Sequence, residues 1–446
     1  MREGSLSAPT RHPLNWRDAQ FTDEAKVMDE LERVFDLCHG CRRCFNLCDS
    51  FPRLFDMIDA SPTEEVDGVD KADYWKVVDA CTLCDLCFMT KCPYVPPHEW
   101  DLDFPHLMLR ARAVQHKKGL GNKKQDKLGE MDANGPLGVK LSGLANWATK
   151  RGNGLTRKIM EKTHDVHRDA ALPEFSKQTC RDMAAKQDLD VDADAPAAAR
   201  KAVIYASCFG EYNDPAIVLD TRAVLAKNGI KAEIVYPECC GMPQLEKGDL
   251  ARVNGKAISI ALALKPYVDK GFDVVVPVAS CALMLKFEWP LIASDDANVK
   301  ALAQATFDVT EYMVDIAGKE GLADGLQPLE GGITAHIACH ARAQNMGRKA
   351  QELLKLIPDT DTKIIERCSG HGGSWGVTTE FFEVGMKVGA PVFRDAVKNA
   401  SAYVVSECPL ARDHILQGME RKDAHVEGPG KALRHPVQLL ARSYGL

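Results

Sequence analysis

Apolar residues at Val27, Leu31, Val34 and Phe35 recur at helical spacing behind Thr22 and Asp23, and the stripe runs directly into Cys38. A second approach segment, Ala72 to Ala80, leads in the same way to Cys81, with Trp75 and Val78 on one side. No run between Met1 and about Pro105 alternates with period two, so this stretch reads as a small, mostly helical domain. From Leu107 to Met183 the chain is amphipathic, interrupted by Gly119, Gly121, Gly135 and Gly138. It carries a basic cluster between Arg110 and Lys127 whose ordinary reading is a solvated linking face. The acidic stretch 188–199, with Pro196, marks a linker.

Beyond it the pattern changes to short β-branched runs, and the runs repeat. KAVIYASC (201–208) corresponds to ITAHIACH (333–340), AEIVYPECCG (232–241) to TKIIERCSG (362–370), and DVVVPVASC (273–281) to SAYVVSEC (401–408). Cys339 follows Cys208 by 131 residues, Cys368 follows Cys239 by 129, and Cys408 follows Cys281 by 127, which marks a duplicated unit. Helical segments separate the strands; the clearest opens with Asp214 as N-cap and Pro215 as first residue and closes at Gly229. Strand–helix alternation predicts α/β layers, and behind the helical first part the whole chain is classed as α+β / α/β. The expected division is 1–105, a connector and linker over 106–200, and two α/β units over 201–325 and 326–446. In both units the cysteines fall just past strand carboxyl ends, where open α/β sheets place ligands.

Composition narrows the function. A chain of 446 residues with 45% hydrophobic and 27% charged residues is ordinary globular material, long enough for several cores. With 56 Lys and Arg against 63 Asp and Glu, the net charge of −7 argues against nucleic acid as a partner. The longest apolar stretches, such as 257–264 and 274–278, are of core-element length, so no membrane span is expected. The opening MREGSLSAPTRHPLNW lacks the apolar core of a secretory signal, and a reducing cytoplasm is expected.

Sixteen cysteines in that compartment call for something other than disulfides. Cys38, Cys41, Cys44 and Cys48 read C-x2-C-x2-C-x3-C; Cys81, Cys84, Cys87 and Cys92 read C-x2-C-x2-C-x4-C-P. Three thiolates at three-residue steps wrap one face of a 4Fe–4S cube, and in two-cluster ferredoxins the fourth cysteine of each run serves the other cluster. The expected sets are Cys38, Cys41 and Cys44 with Cys92, and Cys81, Cys84 and Cys87 with Cys48. Structural zinc is the alternative, since paired CxxC motifs also build tetrahedral sites. Asp49 in place of Pro after Cys48, and one extra residue before Cys92, depart from the usual runs. Arg42, Arg43 and Lys91 stand beside these ligands, where cations would raise a cluster's potential. His39, His336, His414 and Cys180 follow no spacing logic and read as core or surface residues.

The repeated Cys … Cys-Cys-Gly … Cys pattern resembles the CCG cysteine-rich domains of heterodisulfide reductase-like iron–sulfur proteins. That family includes the C subunit of anaerobic glycerol-3-phosphate dehydrogenase and the iron–sulfur subunit of glycolate oxidase. The resemblance, from about Glu30 to Leu446, implies a dicluster ferredoxin-like domain followed by two CCG domains. Cys208, Cys239, Cys240 and Cys281 would then hold a further iron–sulfur cluster in the first CCG domain, although Met284 replaces its closing cysteine. The second keeps Cys339, Cys368 and Cys408, with Ser369 and Ala411 where the family has thiols. It could hold a cluster with an open iron, zinc with His340 or His371 as fourth ligand, or nothing. GHGGSWG (370–376) does not fit a dinucleotide fingerprint and reads as a tight turn or close backbone approach.

No flavin, nicotinamide or P-loop site is recognisable, so the expected role is an electron-transfer subunit, an oxidoreductase component without its own substrate site. By resemblance the partner would be a flavin dehydrogenase, or a rubrerythrin-type di-iron protein, with electrons leaving towards quinone and the chain peripheral to the membrane through its partner. The alternatives are a catalytic thiol-disulfide reductase centred on Cys208, Cys239, Cys240 and Cys281, and a metal-stapled scaffold or iron–sulfur sensor.

Overall fold

The computed structural model describes residues 9–446; the opening octapeptide and the Lys91 side chain, with the readings placed on them, lie outside the described residues. The first helix, Glu24–Cys41, starts where Asp23 accepts hydrogen bonds from the Ala25 and Lys26 amides. Its stripe of Val27, Leu31, Val34 and Phe35 is buried. Helices Ser50–Asp59, Tyr74–Ala80 and Phe104–Lys118 pack around it, joined by edge-on rings such as Phe35 on Tyr74 at 5.1 Å. Among the described residues this part contains no strand.

The remainder is built on two parallel sheets. The first contains β1 (Ala202–Tyr205), β2 (Glu233–Val235), β3 (Asp273–Val276) and β4 (Thr306–Asp308) in the order β2-β1-β3-β4. The second contains β5 (Ile333–His336), β6 (Thr362–Ile365) and β7 (Tyr403–Ser406) in the order β6-β5-β7. Strands β1 and β5 are central in corresponding positions, with Val203 opposite Glu233 and Val274, and Thr334 opposite Lys363 and Val404. All six repeat strands lie where the β-branched runs place them. β4, an additional edge strand in the first sheet only, has just three residues and no alternation to betray it.

One continuous apolar cluster joins the N-terminal helices to one face of the first sheet, including Val203, Val274 and Val276. The opposite face, with Ile204 and Val275, shares a second cluster with Ile333, Ala335 and Val405 of the other sheet. The alternation of these residues between clusters is the period of two expected of strands covered on both faces. The last helix, Pro436–Ser443, returns to the first unit. It packs on helix Pro215–Lys227, where Gln438 donates to Asp220 and Arg434 pairs with Asp214 at 2.8 Å. No helix among the described residues is long and apolar enough to cross a membrane.

Candidate iron–sulfur centres

All sixteen cysteines are free thiols, and most of them sit in or beside the turns that join regular elements. Cys38 and Cys41 occupy the last turn of the first helix, which Arg42 closes in the left-handed conformation (φ 49°) with its amide on the Cys38 carbonyl at 2.8 Å. The turn carries Cys44 back towards them. In the second run Leu83 and Asp85 are left-handed (φ 49° and 62°), coiling the loop so that the Leu83 amide reaches the Cys81 sulfur at 3.4 Å. The extra residue before Cys92 is absorbed by a π turn, Cys87–Lys91, closed by the Cys92 amide on the Cys87 carbonyl at 2.8 Å.

The two runs interlace. Cys38, Cys41, Cys44 and Cys92 line one cavity with Arg43, Phe51, Phe55 and Tyr94. Burial, then the neighbouring charges of Cys92, Cys44 and Cys41, pushes the Cys38 thiol well up. Cys48 is raised by burial and then by Cys84 and Cys81, and Cys87 by burial and then by Cys84, Cys81, Cys48 and Cys44. Each run therefore sends its fourth cysteine among the other run's three. Burying four such thiolates together is costly unless positive charge meets them, and an iron–sulfur core supplies that charge with the soft metal they prefer. Among the described residues no three His, Cys, Asp or Glu close on a point suited to a lone ion.

Cys84 also feels Cys368, and Cys339 feels Cys84, Cys368 and Cys408 after its own burial. Cys368 and Cys339 of the second unit therefore face the Cys48 quartet. Cys339 heads helix Cys339–Ala343 after β5, Cys408 is the N-cap of helix Pro409–Glu420 after β7, and the Gly370 amide reaches the Cys368 sulfur at 3.4 Å. Ser369 and Ala411 are buried. The Nε2 atoms of both His340 and His371 are buried without a partner, and burial lowers both imidazoles, His371 to about 4. The Gly370–Gly376 turn fits by close backbone approach: a Cβ on Gly370, at φ +78°, would lie 1.9 Å from the Gly385 carbonyl oxygen.

In the first unit, Ser207 is left-handed (φ 61°) where β1 ends, and Cys208 follows it. The Cys239 and Cys208 sulfurs lie 3.7 Å apart and those of Cys240 and Cys281 3.3 Å apart. Met284 is buried inside the π turn Met284–Glu288. Cys408 feels Cys281, so the two units' sites adjoin. A polar shell missed by the spacing argument surrounds the first site. Asp132 of the connector accepts from the Tyr236 hydroxyl (2.7 Å), the Cys239 amide (2.9 Å) and Lys256 (2.6 Å), while Trp289 donates to the Cys240 carbonyl (3.1 Å). Lys256, 7% exposed and abutting the apolar run 257–264, was the available signal.

Several other residues lie outside these groups. His336 is a satisfied core imidazole between the Ser406 hydroxyl (2.9 Å) and the Arg367 carbonyl (2.9 Å). Cys180 is buried in the second apolar cluster, and His414 packs on Phe393 with ring centroids 5.6 Å apart. His39 takes a hydrogen bond from Arg42 at 2.8 Å. A cleft of about 440 Å³, walled by Arg112, Lys247, Trp375 and Phe381, opens onto Cys81.

Residues 202–286 of this chain match the CCG cysteine-rich domain. The chain is homologous to redox proteins of dehydrogenase and reductase complexes. It is 24% identical to the C subunit of anaerobic glycerol-3-phosphate dehydrogenase from Escherichia coli (strain K12) over 323 residues, 71% of this chain and 76% of the relative. Over 262 residues it is 24% identical to the D subunit of dihydromethanophenazine:CoB–CoM heterodisulfide reductase from Methanosarcina barkeri, covering 55% of this chain and 59% of the relative. Lactate utilization protein A of Bacillus pumilus is 28% identical over 188 residues, 40% of this chain and 75% of the relative.

Proposed function

We propose that this chain is an iron–sulfur electron-transfer protein that relays single electrons between a partner oxidoreductase and a downstream acceptor. The observation that carries the reading is the succession of thiol groups. The Cys38 quartet meets the Cys48 quartet through Cys44 and Cys87, the latter meets the second unit through Cys84 and Cys368, and that unit meets the first through Cys408 and Cys281. In this reading residues 1–105 form the dicluster part, 106–200 the connector, and 201–325 and 326–446 the two CCG units. Clusters of the 4Fe–4S type, held by Cys38, Cys41, Cys44 and Cys92 and by Cys48, Cys81, Cys84 and Cys87, supply one-electron chemistry. The protein's part is to hold the thiolates, exclude water with Phe51, Phe55 and Leu102, and offset their charge with Arg43. Cys208, Cys239, Cys240 and Cys281 form the best-equipped further site. Cys339, Cys368 and Cys408 can hold a cluster with an open iron.

Two relatives are named as subunits of a dehydrogenase and of a reductase, which supports a redox partner. A flavin dehydrogenase, with the assembly at the inner face of the membrane, is the partner we favour. A second reading, a thiol-disulfide reductase, draws on the 3.3 Å contact of Cys240 and Cys281, but the closing position is Met284.

The interlaced ligand sets provide the test. Anaerobically purified Cys48→Ser should lose the iron and the paramagnetic signal that Cys81→Ser loses, so C48S/C81S should lose little beyond either single variant. C48S/C38S should lose both signals. Additive iron loss in C48S/C81S refutes the crossed sets, and colourless protein containing zinc refutes the relay. Turnover of a disulfide by the isolated chain with an artificial reductant would favour the second reading.

A further inference from the structure

Between the N-terminal helices and the first sheet, helices Met131–Lys140, Ser142–Thr149 and Gly154–His164 form a bent hairpin whose polarity is reversed. Its interior holds an arginine. Arg157 is 1% exposed and donates to the carbonyls of Thr149, His167, Arg168 and Ala170 at 2.7–3.2 Å. The hairpin is docked by glycine and amide contacts, with Gly135 against Tyr212, Gly138 against Phe175, and the Asn146 side chain bonded to both backbone groups of Phe175. The apolar side chains face water. Leu137, Leu141, Leu144, Trp147, Leu155 and Ile159 are 45–72% exposed, six of the ten large apolar residues so exposed among the described residues. Leu137, Leu141 and Leu144 follow helical spacing, as do Leu155 and Ile159, so each group forms a stripe.

The charge around the stripes selects an occupant. From 137 to 164 the chain has six Lys and Arg and one Glu, although the protein carries −7 overall. Lys140, Lys150, Lys158 and Lys162 are exposed and make no ion pair among the described residues, while Arg151 pairs with Glu420. Lysine is depleted at protein interfaces, whereas leucine, isoleucine and tryptophan fringed by lysine is the composition of helices that lie in a lipid headgroup layer. Patches of this kind are not left open without a counterpart. We propose that the 131–164 hairpin is a direct docking surface for an acidic phospholipid bilayer, with the leucines and Trp147 seated among the headgroups and the lysines against lipid phosphate. The contact belongs to this chain and needs neither bound iron nor a partner.

The test uses the full chain with its iron, floated with vesicles of phosphatidylcholine alone or mixed with phosphatidylglycerol. Acidic vesicles should bind at least about tenfold more protein than neutral ones, with binding falling about tenfold or more as salt rises from about 0.05 to about 0.5 M. The bound protein should show blue-shifted indole emission that is lost in Trp147→Phe. Leu144→Glu with Leu155→Glu should abolish flotation while iron content and elution volume stay unchanged. Equal binding to neutral vesicles, no flotation on either, or flotation of L144E/L155E equal to the parent overturns the proposal. So does a dimer that this variant converts to monomer, since a second copy would then own the surface.

Discussion

Replacing Arg11 by methionine tests how the N-terminal segment is fastened. Arg11 reaches inward to Asp103 (2.8 and 3.1 Å), Asp85 (2.8 and 2.9 Å) and Glu288 (3.1 Å), above the Phe88 ring at 4.6 Å. One guanidinium thus joins the loop between Cys84 and Cys87, the start of helix Phe104–Lys118 and the π turn of the first repeat unit. The side chains of Arg11, Asp85 and Glu288 are 11%, 6% and 4% exposed, which removes most solvent screening. Against the upward push of burial, Arg11 and then His106 hold Glu288 down to about 2. Methionine keeps the unbranched apolar stem but leaves buried Asp85 and Glu288 and part-buried Asp103 with only His106. Breaking a buried pair costs about 3–5 kcal/mol, whereas an exposed pair would cost ~0–1. Because a chain with several cores need not unfold in two states, the quantity to follow is the midpoint of the first urea transition of anaerobic protein, read by circular dichroism. R11M should lower it, and R11M/E288Q should recover part of the loss by removing one orphaned charge. A cost below about 1 kcal/mol, or no recovery in the double variant, refutes the shared-cation account.

Other perturbations follow from single contacts. Burial pushes Asp220 up to about 6 although Gln438 donates to it, so the folded state holds a proton that the unfolded state releases between about pH 4 and 6. Stability from this group therefore falls as pH rises through that window, and Asp220→Asn should stabilise the protein by up to about 3 kcal/mol at pH 7 and by little near pH 4; a pH-independent effect in thermal melts contradicts this. A Cβ on Gly389 would lie 2.2 Å from the Ser369 carbonyl oxygen, so Gly389→Ala should displace the Cys368 loop and cost about 1–3 kcal/mol, and unchanged melting would show that the helix yields instead. Arg157→Met orphans four carbonyls and should raise amide exchange across 149–170 by at least about tenfold, from a local loss of about 2–3 kcal/mol; exchange as slow as in the parent would show that water replaces the guanidinium.

The strands of the repeat were legible because β1, β3, β5 and β7 are short apolar runs buried on both faces, the part-exposed edge strands β2 and β6 share their β-branched composition, and the cysteine offsets independently set their correspondence. The first helix was legible for a similar reason, since cap, stripe and first thiol coincide at Asp23, Val27–Phe35 and Cys38. What escaped was carried by tertiary contact. β4 is a three-residue edge strand, helix Pro436–Ser443 crosses back to the first unit through Gln438 and Arg434, and Asp132 reaches the Cys239 amide from more than 100 residues away. The hairpin escaped for another reason: its leucines are periodic, and periodicity alone cannot distinguish a stripe facing a core from one facing outward. Only the buried guanidinium of Arg157 decides that.

The missing thiols acquire a physical meaning from where they fall. In the second unit Ser369 and Ala411 occupy buried positions beside Cys368 and Cys408, so their loss leaves no solvent channel in place of a ligand. The three surviving thiols are the ones that bridge, since Cys368 and Cys339 adjoin Cys84 while Cys408 adjoins Cys281. These three thiols connect the N-terminal cysteines to Cys208, Cys239, Cys240 and Cys281. The connection also orders the consequences of damage. Cys368→Ser in protein that keeps its N-terminal iron should slow electron delivery to the first unit while leaving the Cys38 and Cys48 quartets reducible by dithionite. Stopped-flow reduction that reaches the first unit as fast as in the parent would mean that electrons enter it by another route.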